Sequence, residues 1–310
     1  RARLVGASEL VTTPCGPIEY AAVGTGPPIL IVHGAGGGFD QGLAIGAPLA
    51  ARGHRVVAMS RFGYLRTPLP ADASAAAQAD AHECLLDSVG FDRAAVIGVS
   101  AGAPSALQLA VRHPERVSAL VLMVPAAFVP RQGGAAPVRT PPGTLQLFDT
   151  ALRSDFLFWA IRRAAPNLMV RGLLGTPPEL VARAPLAEQE RIAAMLDQIL
   201  PVTDRRVGLL NDAVVTTQIE RYPLERITAP TLAISAADDL YGTYDAARYS
   251  AEQIPGARFI GYPDGGHMLV GRNADVTSSI AEFLAAADDA GRIALQRDAL
   301  PIAALRVPQQ

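Results

Sequence analysis

Short β-branched segments alternate with alanine-rich helical segments over the first part of the chain. The pattern predicts strands at residues 29–32, 55–59, 94–99 and 117–124, and helices at 72–89 and 101–112. Alternation of this kind is typical of a mostly parallel sheet flanked by helices. We therefore predict an α/β fold.

The composition changes after the strand that ends at residue 124. Residues 126–144 are rich in proline, glycine and arginine, which predicts a linker or mobile loop. Two helical patterns follow. Their apolar faces are formed by Phe148, Leu152, Phe156 and Trp159 in the first pattern and by Ile192, Met195, Leu196, Ile199 and Leu200 in the second.

Strands return at residues 231–234 and 258–262, and a helix follows at about 274–287. The stretch between the two α/β segments has roughly 100 residues, the size of a small domain. We therefore predict an α/β core at 1–125 and 224–290, a helical cap inserted at 126–223, and a C-terminal tail of unassigned role at 291–310.

The composition also excludes several functional classes. Lysine and arginine together number 27, and all of these residues are arginine. A chain without lysine cannot hold pyridoxal phosphate as a Schiff base and cannot form a G-x-x-x-x-G-K phosphate loop. The formal net charge of −2 gives no basic field for a phosphate backbone, so we expect no nucleic-acid partner. We expect a small-molecule ester as the partner and no cofactor.

Cysteine and histidine residues are few. Cys15 and Cys84 lie far apart and outside any C-x-x-C pattern. This predicts neither a disulfide framework nor a cysteine-based zinc site, and it leaves the redox compartment open. The five histidines form no H-E-x-x-H motif and no i,i+4 pair, so we predict no dedicated metal site.

No apolar segment is long enough to predict a transmembrane helix. The longest apolar run, at residues 119–129, is interrupted by Pro125 and falls short of the ~20 residues that a spanning helix needs. The chain begins Arg-Ala-Arg and not with methionine, which leaves an upstream signal or anchor open. We expect a cytoplasmic protein and leave its oligomeric state open.

A G-x-S-x-G pentapeptide, GVSAG at residues 98–102, lies between a predicted strand and a predicted helix. A sharp strand-to-helix turn would hold the serine in strained backbone geometry, and the small flanking residues would let neighbouring segments pass close by. The hydroxyl would stand at a helix N-terminus, where the dipole favours negative charge. Ser100 is therefore the candidate nucleophile. The alternative is a serine that only caps the helix.

A serine hydroxyl needs a neutral imidazole within hydrogen-bond reach to act as a nucleophile near neutral pH. His267 follows two glycines just after the last predicted strand, which suits a loop that returns across the sheet edge. The alternative is an ordinary surface histidine. The imidazole in turn needs a carboxylate to orient it. Asp238 and Asp239 compete for this role after the strand at 231–235, and we favour Asp239.

Charge on a tetrahedral oxygen needs preorganised hydrogen-bond donors. The candidates are the N–H of Ala101, directly after the nucleophile, and the N–H of Ala35 in the glycine loop at residues 33–38. That loop follows a strand and could also be a dinucleotide fingerprint. Its third glycine position is Phe39, however, and the next strand ends without the acid that would bind a ribose. We therefore disfavour nucleotide binding.

Four motifs together resemble the α/β-hydrolase superfamily: HGAG at 33–36, GVSAG at 98–102, ADD at 237–239 and GGH at 265–267. The segment RHPERV at 112–117, followed by a strand, is also typical of that superfamily. The resemblance covers residues 15–125 and 224–288. It implies a catalytic triad of Ser100, His267 and Asp239 in the chain order of the superfamily, an oxyanion hole at Ala35 and Ala101, and a helical cap after the sixth strand.

The chain departs from many relatives in the loop at residues 60–63, where they place an aspartate and it has SRFG. That position is structural, so the departure does not weaken the resemblance. Serine at residue 100 also separates the chain from epoxide hydrolases and haloalkane dehalogenases, which carry aspartate there. Serine favours acyl transfer.

We expect a serine esterase of the carboxylesterase type, acting through an acyl-enzyme on an ester with an apolar acyl or alkyl group. The candidate substrate-binding residues are Gly34, Gly36, Phe39, Phe156 and Trp159. The alternative for the aromatic residues of the cap is that they pack it on the core.

Two other functions stay open. Similar capped relatives hydrolyse C–C bonds in ring-cleavage products, usually with an aromatic residue after the histidine and an arginine in the cap. This chain has Met268 in the first position, with Arg153, Arg162 and Arg163 available for the second. The third possibility is a ligand receptor that uses the same scaffold without chemistry.

Overall fold

The computed structural model describes residues 4–130 and 149–298, with side chains as far as residue 289. Its strands are β1 Glu9–Thr13, β2 Gly16–Val23, β3 Pro28–Val32, β4 Arg55–Met59, β5 Ala94–Val99, β6 Val117–Met123, β7 Thr231–Ala236 and β8 Arg258–Tyr262. Its helices are α1 Phe39–Ala50, α2 Ala75–Ser88, α3 Ala103–Arg112, α4 Asp155–Ala164, α5 Pro166–Leu173, α6 Pro178–Arg183, α7 Leu186–Gln198, α8 Arg206–Thr217, α9 Thr243–Gln253 and α10 Asn273–Asp298. Short 3₁₀ turns lie at Ser100–Gly102, Pro114–Arg116 and Leu224–Arg226.

The strands form one sheet in the order β1-β2-β4-β3-β5-β6-β7-β8. Strands β3 to β8 are parallel, and at one edge β2 pairs antiparallel with both β4 and β1. The predicted α/β fold, a mostly parallel sheet flanked by helices, is confirmed. β1 and β2 have no counterpart among the predicted strands, because exposed residues at this edge interrupt their apolar pattern.

The central strands are buried on both faces of the sheet, which explains their unbroken apolar sequences. In β3, Leu30 and Val32 belong to a core cluster that also contains residues of α2 and α3. Ile29 and Ile31 belong to the cluster on the other face, with residues of α1 and α10. The sheet is therefore the common wall of two cores.

Two helix boundaries differ from the predicted ones. α2 begins at Ala75, because the Ser74 hydroxyl caps it by accepting from the N–H of Ala77, while Asp72 accepts from the N–H of Ser74. α10 continues to Asp298, past the predicted end near residue 287 and past the predicted boundary at 290. In the described part of the chain, no helix has the length and apolarity needed to cross a membrane.

In the described chain between β6 and β7, a helical stretch at residues 149–152 precedes the helices α4 to α8, and we call residues 155–217 the helical insertion. Its buried side chains form a third core cluster, which also includes Tyr64, Leu152 and Val270 from outside the insertion. The predicted loop at 126–144 is described only to residue 130. The tail from residue 299 onward and Phe148 also lie outside the described residues.

The second predicted apolar face is buried at Ile192, Leu196 and Ile199. The first is wrong in part, because Leu152 is buried but Phe156 and Trp159 are 73% and 45% exposed. The reason is a break between two helical segments: residues 149–152 are helical, and a turn at Arg153 separates them from α4. Ser154 starts α4 as a new helix, its hydroxyl accepting from the N–H of Leu157, so the helical phase changes and the buried aromatic residue is Phe158.

Cys15 and Cys84 form a disulfide, which corrects the prediction that the cysteines form no disulfide framework. Their Cα atoms are 6.2 Å apart although 69 residues separate them in the sequence. Cys15 lies in the turn between β1 and β2, and Cys84 lies in α2, which packs against that edge of the sheet. Sequence separation therefore gave no sign of their proximity.

Candidate active site

Ser100 lies directly after β5 with a backbone φ of +50°, in the left-handed region. Glycine is needed on both sides because neighbouring segments come very close. A Cβ on Gly98 would lie 2.6 Å from the Cβ of Ala106, and a Cβ on Gly102 would lie 2.4 Å from the carbonyl oxygen of Val32. The pentapeptide is thus the sharp strand-to-helix turn that the sequence predicts, with the serine at its apex.

The imidazole of His267 lies between a hydroxyl and a carboxylate. Its Nε2 is 2.8 Å from the Ser100 Oγ, and its Nδ1 is 2.7 Å from Oδ2 of Asp239. An ionised carboxylate can only accept, so in the neutral imidazole the proton is on Nδ1 and Nε2 accepts from the serine hydroxyl. His267 and Asp239 are 4% and 7% exposed, so water has little access to these bonds.

The two adjacent aspartates have different partners. Asp239 accepts from the N–H of Tyr241 at 2.8 Å and from the hydroxyl of Thr243, besides its bond to His267. Oδ1 of Asp238 instead accepts from the N–H of Gly266 at 2.7 Å. The structure therefore brings Asp239 to the imidazole, and Asp238 holds the loop that carries it.

The glycine loop lies against Ser100. A Cβ built on Gly34 would be 3.3 Å from the Ser100 Cβ, and Ala35 and Ala101 both line the cavity beside the serine. The N–H groups that flank Ala35 are occupied, since Gly34 donates to Gln41 and Gly36 donates to Tyr64. The N–H of Ala35 itself meets no acceptor within the described chain. Ala101 is in the first turn of a helix, where N–H groups have no partner in the helix.

His33, the first residue of the glycine loop, is fully buried and neutral. Burial lowers its pKa well below the ordinary value, and the nearby Arg61 guanidinium lowers it further. Its partners fix the tautomer: Nε2 accepts from the N–H of Arg61 at 3.0 Å, and Nδ1 donates to the carbonyl of Gly34 at 2.7 Å. His33 is therefore a structural support of the loop.

A buried ion pair behind the glycine loop has no counterpart among the predicted site residues. Arg61 donates to both carboxylate oxygens of Asp212, each at 2.7 Å, and the Tyr64 hydroxyl donates to Asp212 at 2.5 Å. The only sequence signal was the arginine in the loop that departs from many relatives. It could not identify a counter-charge 151 residues away.

A cavity of about 750 Å³ opens at Ser100 and His267. Its walls are mainly apolar on two sides. Ile45, Val276 and Ile280 line it between α1 and α10, and Leu173, Met195 and Leu209 line it from the helical insertion. This is the size range of small-molecule binding sites.

Four of the five predicted substrate-binding residues do not line this cavity, and only Gly34 does. Phe39 is 1% exposed in the core, and Gly36 packs against Ile199. Phe156 and Trp159 point to solvent because of the helix break at Ser154. The structure therefore does not bring these four residues to the cavity.

One group of side chains in the described chain has the donor types of a metal site, namely Glu83, His113 and Glu115. In this structure His113 pairs with Asp80 and Glu83 at 2.8 and 3.1 Å, and Arg116 pairs with Glu83. The group does not border the cavity. We assign no metal to it.

Comparison with known proteins agrees with this geometry. A family model described as alpha/beta hydrolase fold matches residues 27–274. The hydrolase YcgS of Bacillus subtilis is 27% identical over 286 residues, covering 88% of this chain and 96% of that protein. A Klebsiella pneumoniae protein that bears the name of a carbamate hydrolase, RutD, is 30% identical over 262 residues, covering 82% and 89%.

A solved structure with the same architecture is the alpha/beta hydrolase fold protein from Nakamurella multipartita. It is 28% identical to this chain, with a TM-score of 0.66, and the match covers 89% of this chain and 98% of that one. The family model spans most of the chain and includes the serine turn, the aspartates and the histidine loop. The chain therefore belongs to the α/β-hydrolase fold family.

Proposed function

We propose that the protein is a serine hydrolase that cleaves a carboxylic ester through an acyl-enzyme. The observation that carries the proposal is the continuous set of hydrogen bonds from Asp239 through His267 to Ser100, at the mouth of an apolar cavity. A nucleophile, a base and an orienting acid in this geometry are what acyl transfer requires.

In the first half of the proposed reaction, the Ser100 oxygen attacks the ester carbonyl while His267 accepts the hydroxyl proton. The carbonyl oxygen becomes negative and receives hydrogen bonds from the N–H groups of Ala35 and Ala101. Asp239 stabilises the imidazolium. His267 then gives the proton to the departing alcohol, which leaves an acyl group on Ser100.

In the second half, a water molecule replaces the alcohol. His267 takes a proton from the water molecule while the water oxygen attacks the acyl carbonyl. His267 then returns that proton to Ser100 as the carboxylic acid leaves. The atoms of one water molecule are thus divided between the two products. The enzyme returns to its starting state.

The cavity supports an apolar acyl or alkyl group in the substrate, because apolar walls favour burial of such groups. The division into a core at 1–125 and 224–290 and a cap at 126–223 belongs to the same proposal. Met195 and Leu209 of the helical insertion line the cavity opposite the sheet. The insertion would then cover the bound substrate.

The direct test compares ester hydrolysis by the wild type with that by Ser100→Ala. Short and medium p-nitrophenyl esters are the substrates, and the matched control is Ser88→Ala, a substitution at the end of α2. We expect Ser100→Ala to lose nearly all turnover and Ser88→Ala to keep it. Equal rates for the wild type and Ser100→Ala would end the proposal.

The name of the Klebsiella pneumoniae relative makes carbamates the second substrate class to test. A carbamate carbonyl can be attacked by the same serine, so an aryl carbamate belongs in the same assay. Faster turnover of the carbamate than of any ester would replace the ester proposal without changing the roles of Ser100 and His267.

The C–C hydrolysis alternative gains no support from the arginines considered for it. Arg153 pairs with Asp149 and Arg162 with Asp197, and neither these nor Arg163 line the cavity. Turnover of a dienoate without ester turnover would favour that alternative.

A further inference from the structure

We propose that Tyr64 and Asp212 are positioning residues for the oxyanion hole, so that the helical insertion holds the glycine loop in its reactive geometry. The inference rests on the proposed function, since it takes the N–H of Ala35 as an oxyanion donor. It goes beyond it by giving the insertion a role in the chemical step.

Tyr64 is the link between the glycine loop and the insertion. Its hydroxyl oxygen accepts from the N–H of Gly36 at 3.2 Å, and its proton goes to Oδ2 of Asp212 at 2.5 Å. The side chain is fully buried, and burial, together with the charge of Asp212, raises the pKa of Tyr64 well above the ordinary value. The phenol therefore stays protonated, and its direction is set by a carboxylate that can only accept.

Asp212 is itself held by Arg61, which has a second attachment to the loop. Both carboxylate oxygens accept from the guanidinium, and the Arg61 Nε donates to the carbonyl of His33 at 2.8 Å. The backbone N–H of Arg61 donates to the ring of His33 at 3.0 Å. The loop is thus held at His33 and at Gly36, on either side of Ala35.

The insertion makes a second contact, further along the same loop. Arg205, directly before α8, donates to the carbonyl of Gly37 and pairs with Asp40 at 2.8 Å. It is fully buried, and Asp212 lies in α8 itself and is 4% exposed. The insertion thus supplies two buried charges of opposite sign: Arg205 contacts the loop directly, and Asp212 is linked to it through Tyr64 and Arg61.

These contacts matter because the loop has little rigidity of its own. Gly36, with a φ of +72°, is followed by two more glycines, which restrict the backbone least. An oxyanion donor is effective only if it is already oriented before charge develops. Buried ion pairs are weak contributors to net stability, so their effect here is to fix one loop geometry.

The test is Tyr64→Phe, which removes the hydroxyl and keeps the ring. We expect kcat for an ester to fall about tenfold with KM nearly unchanged. A misoriented N–H of Ala35 weakens binding of the negatively charged transition state but hardly changes binding of the neutral substrate. A trifluoromethyl ketone, whose carbonyl accepts Ser100 and becomes an oxyanion, should bind about tenfold more weakly. The matched control, Tyr222→Phe, alters a tyrosine packed on the sheet core and should change neither value.

Asp212→Asn provides the second variant, measured with the same ester and the same ketone. It should lower kcat and ketone affinity at least as much as Tyr64→Phe, because it also leaves the buried Arg61 without its counter-charge.

The outcomes separate this inference from the proposed function. A wild type that neither hydrolyses esters nor binds the ketone refutes both. A wild type that does both, with Tyr64→Phe equal to it in kcat and ketone affinity, refutes the positioning role alone, even if the melting temperature falls.

Discussion

The backbone at Ser100 adopts a φ of +50°, which costs a residue other than glycine about 1–3 kcal/mol. The surroundings determine this conformation, because Gly98 and Gly102 allow β5, α3 and β3 to approach closely around it. The strain places the hydroxyl beside His267 and not along the helix. The strained backbone therefore lowers local stability and positions the Oγ atom of Ser100 for reaction.

We expect Ser100→Gly to be about 1 kcal/mol more stable to unfolding than Ser100→Ala, because glycine adopts positive φ without a Cβ clash. The measurement is urea denaturation of both variants. The same pair of substitutions at Ser88, at the end of a helix, is the control and should show the reverse order. An alanine variant at residue 100 as stable as the glycine variant would show that the strain is absent.

The adjacent aspartates give a second residue-level prediction. Asp239→Asn should lower kcat by about 10⁴, because the amide can donate to His267 and so favours the wrong tautomer. Asp238→Asn should have a mild effect, since its side-chain oxygen can still accept from the N–H of Gly266. The measurement is kcat for ester hydrolysis by the two variants. A large loss in Asp238→Asn together with an active Asp239→Asn would reverse the assignment.

At the scale of elements, the disulfide connects the β1–β2 turn to α2 and closes a loop of 69 residues. Loop-closure entropy predicts that removing it with the double substitution Cys15→Ser and Cys84→Ser costs about 4 kcal/mol of unfolding free energy. Urea denaturation measures that loss, and thiol titration of the unfolded, unreduced chain should detect no free thiol. Two titratable thiols there would refute the bridge.

How well each element could be predicted depended on how its residues are buried. The central strands appear in the sequence as apolar runs because both faces of the sheet are covered, and their predicted and observed ends agree closely. The hairpin of β1 and β2 is exposed at the sheet edge and has no such run. In the insertion, a new helix begins after Ser154, so the apolar face before it is not continuous with the one after it. A helical repeat that is continued across Ser154 therefore assigns Phe156 to the wrong face.

The same limit applies to the candidate site. Ser100, His267 and Asp239 could be proposed from sequence because each follows a strand at the same edge of a parallel sheet, in motifs with characteristic glycines. Arg61, Tyr64 and Asp212 could not, because their partnership depends on how the insertion folds back over the sheet. No local pattern records a contact between residues 148 positions apart.

At the scale of the whole molecule, two buried histidines make stability depend on pH. Burial, with a further contribution from Arg61, lowers the pKa of His82 to about 3, and His33 is shifted in the same direction. An unfolded chain has ordinary histidine pKa values near 6.5 and takes up protons below that pH, which the folded protein does not. Their stabilising contribution is complete above about pH 6.5 and is lost as the pH falls.

We expect His82 to lower the unfolding free energy by about 1.4 kcal/mol per pH unit as the pH falls from about 6 to about 4, and His33 to add to that fall. Urea denaturation across that range measures the slope. His82→Gln should reduce the slope of unfolding free energy against pH by the contribution of one histidine. His54→Gln, at a part-buried turn, is the matched control. A stability that stays constant or rises on acidification would contradict the neutral state of the buried histidines.

The proposed reaction depends on activation of the Ser100 hydroxyl by His267, 167 residues later in the chain. The most direct measurement is reaction with a fluorophosphonate, followed by peptide mapping, for the wild type and His267→Gln. We expect a single adduct on Ser100 in the wild type and a labelling rate lower by orders of magnitude in the variant. An adduct on another serine, or equal labelling of the two proteins, would show that His267 does not activate Ser100.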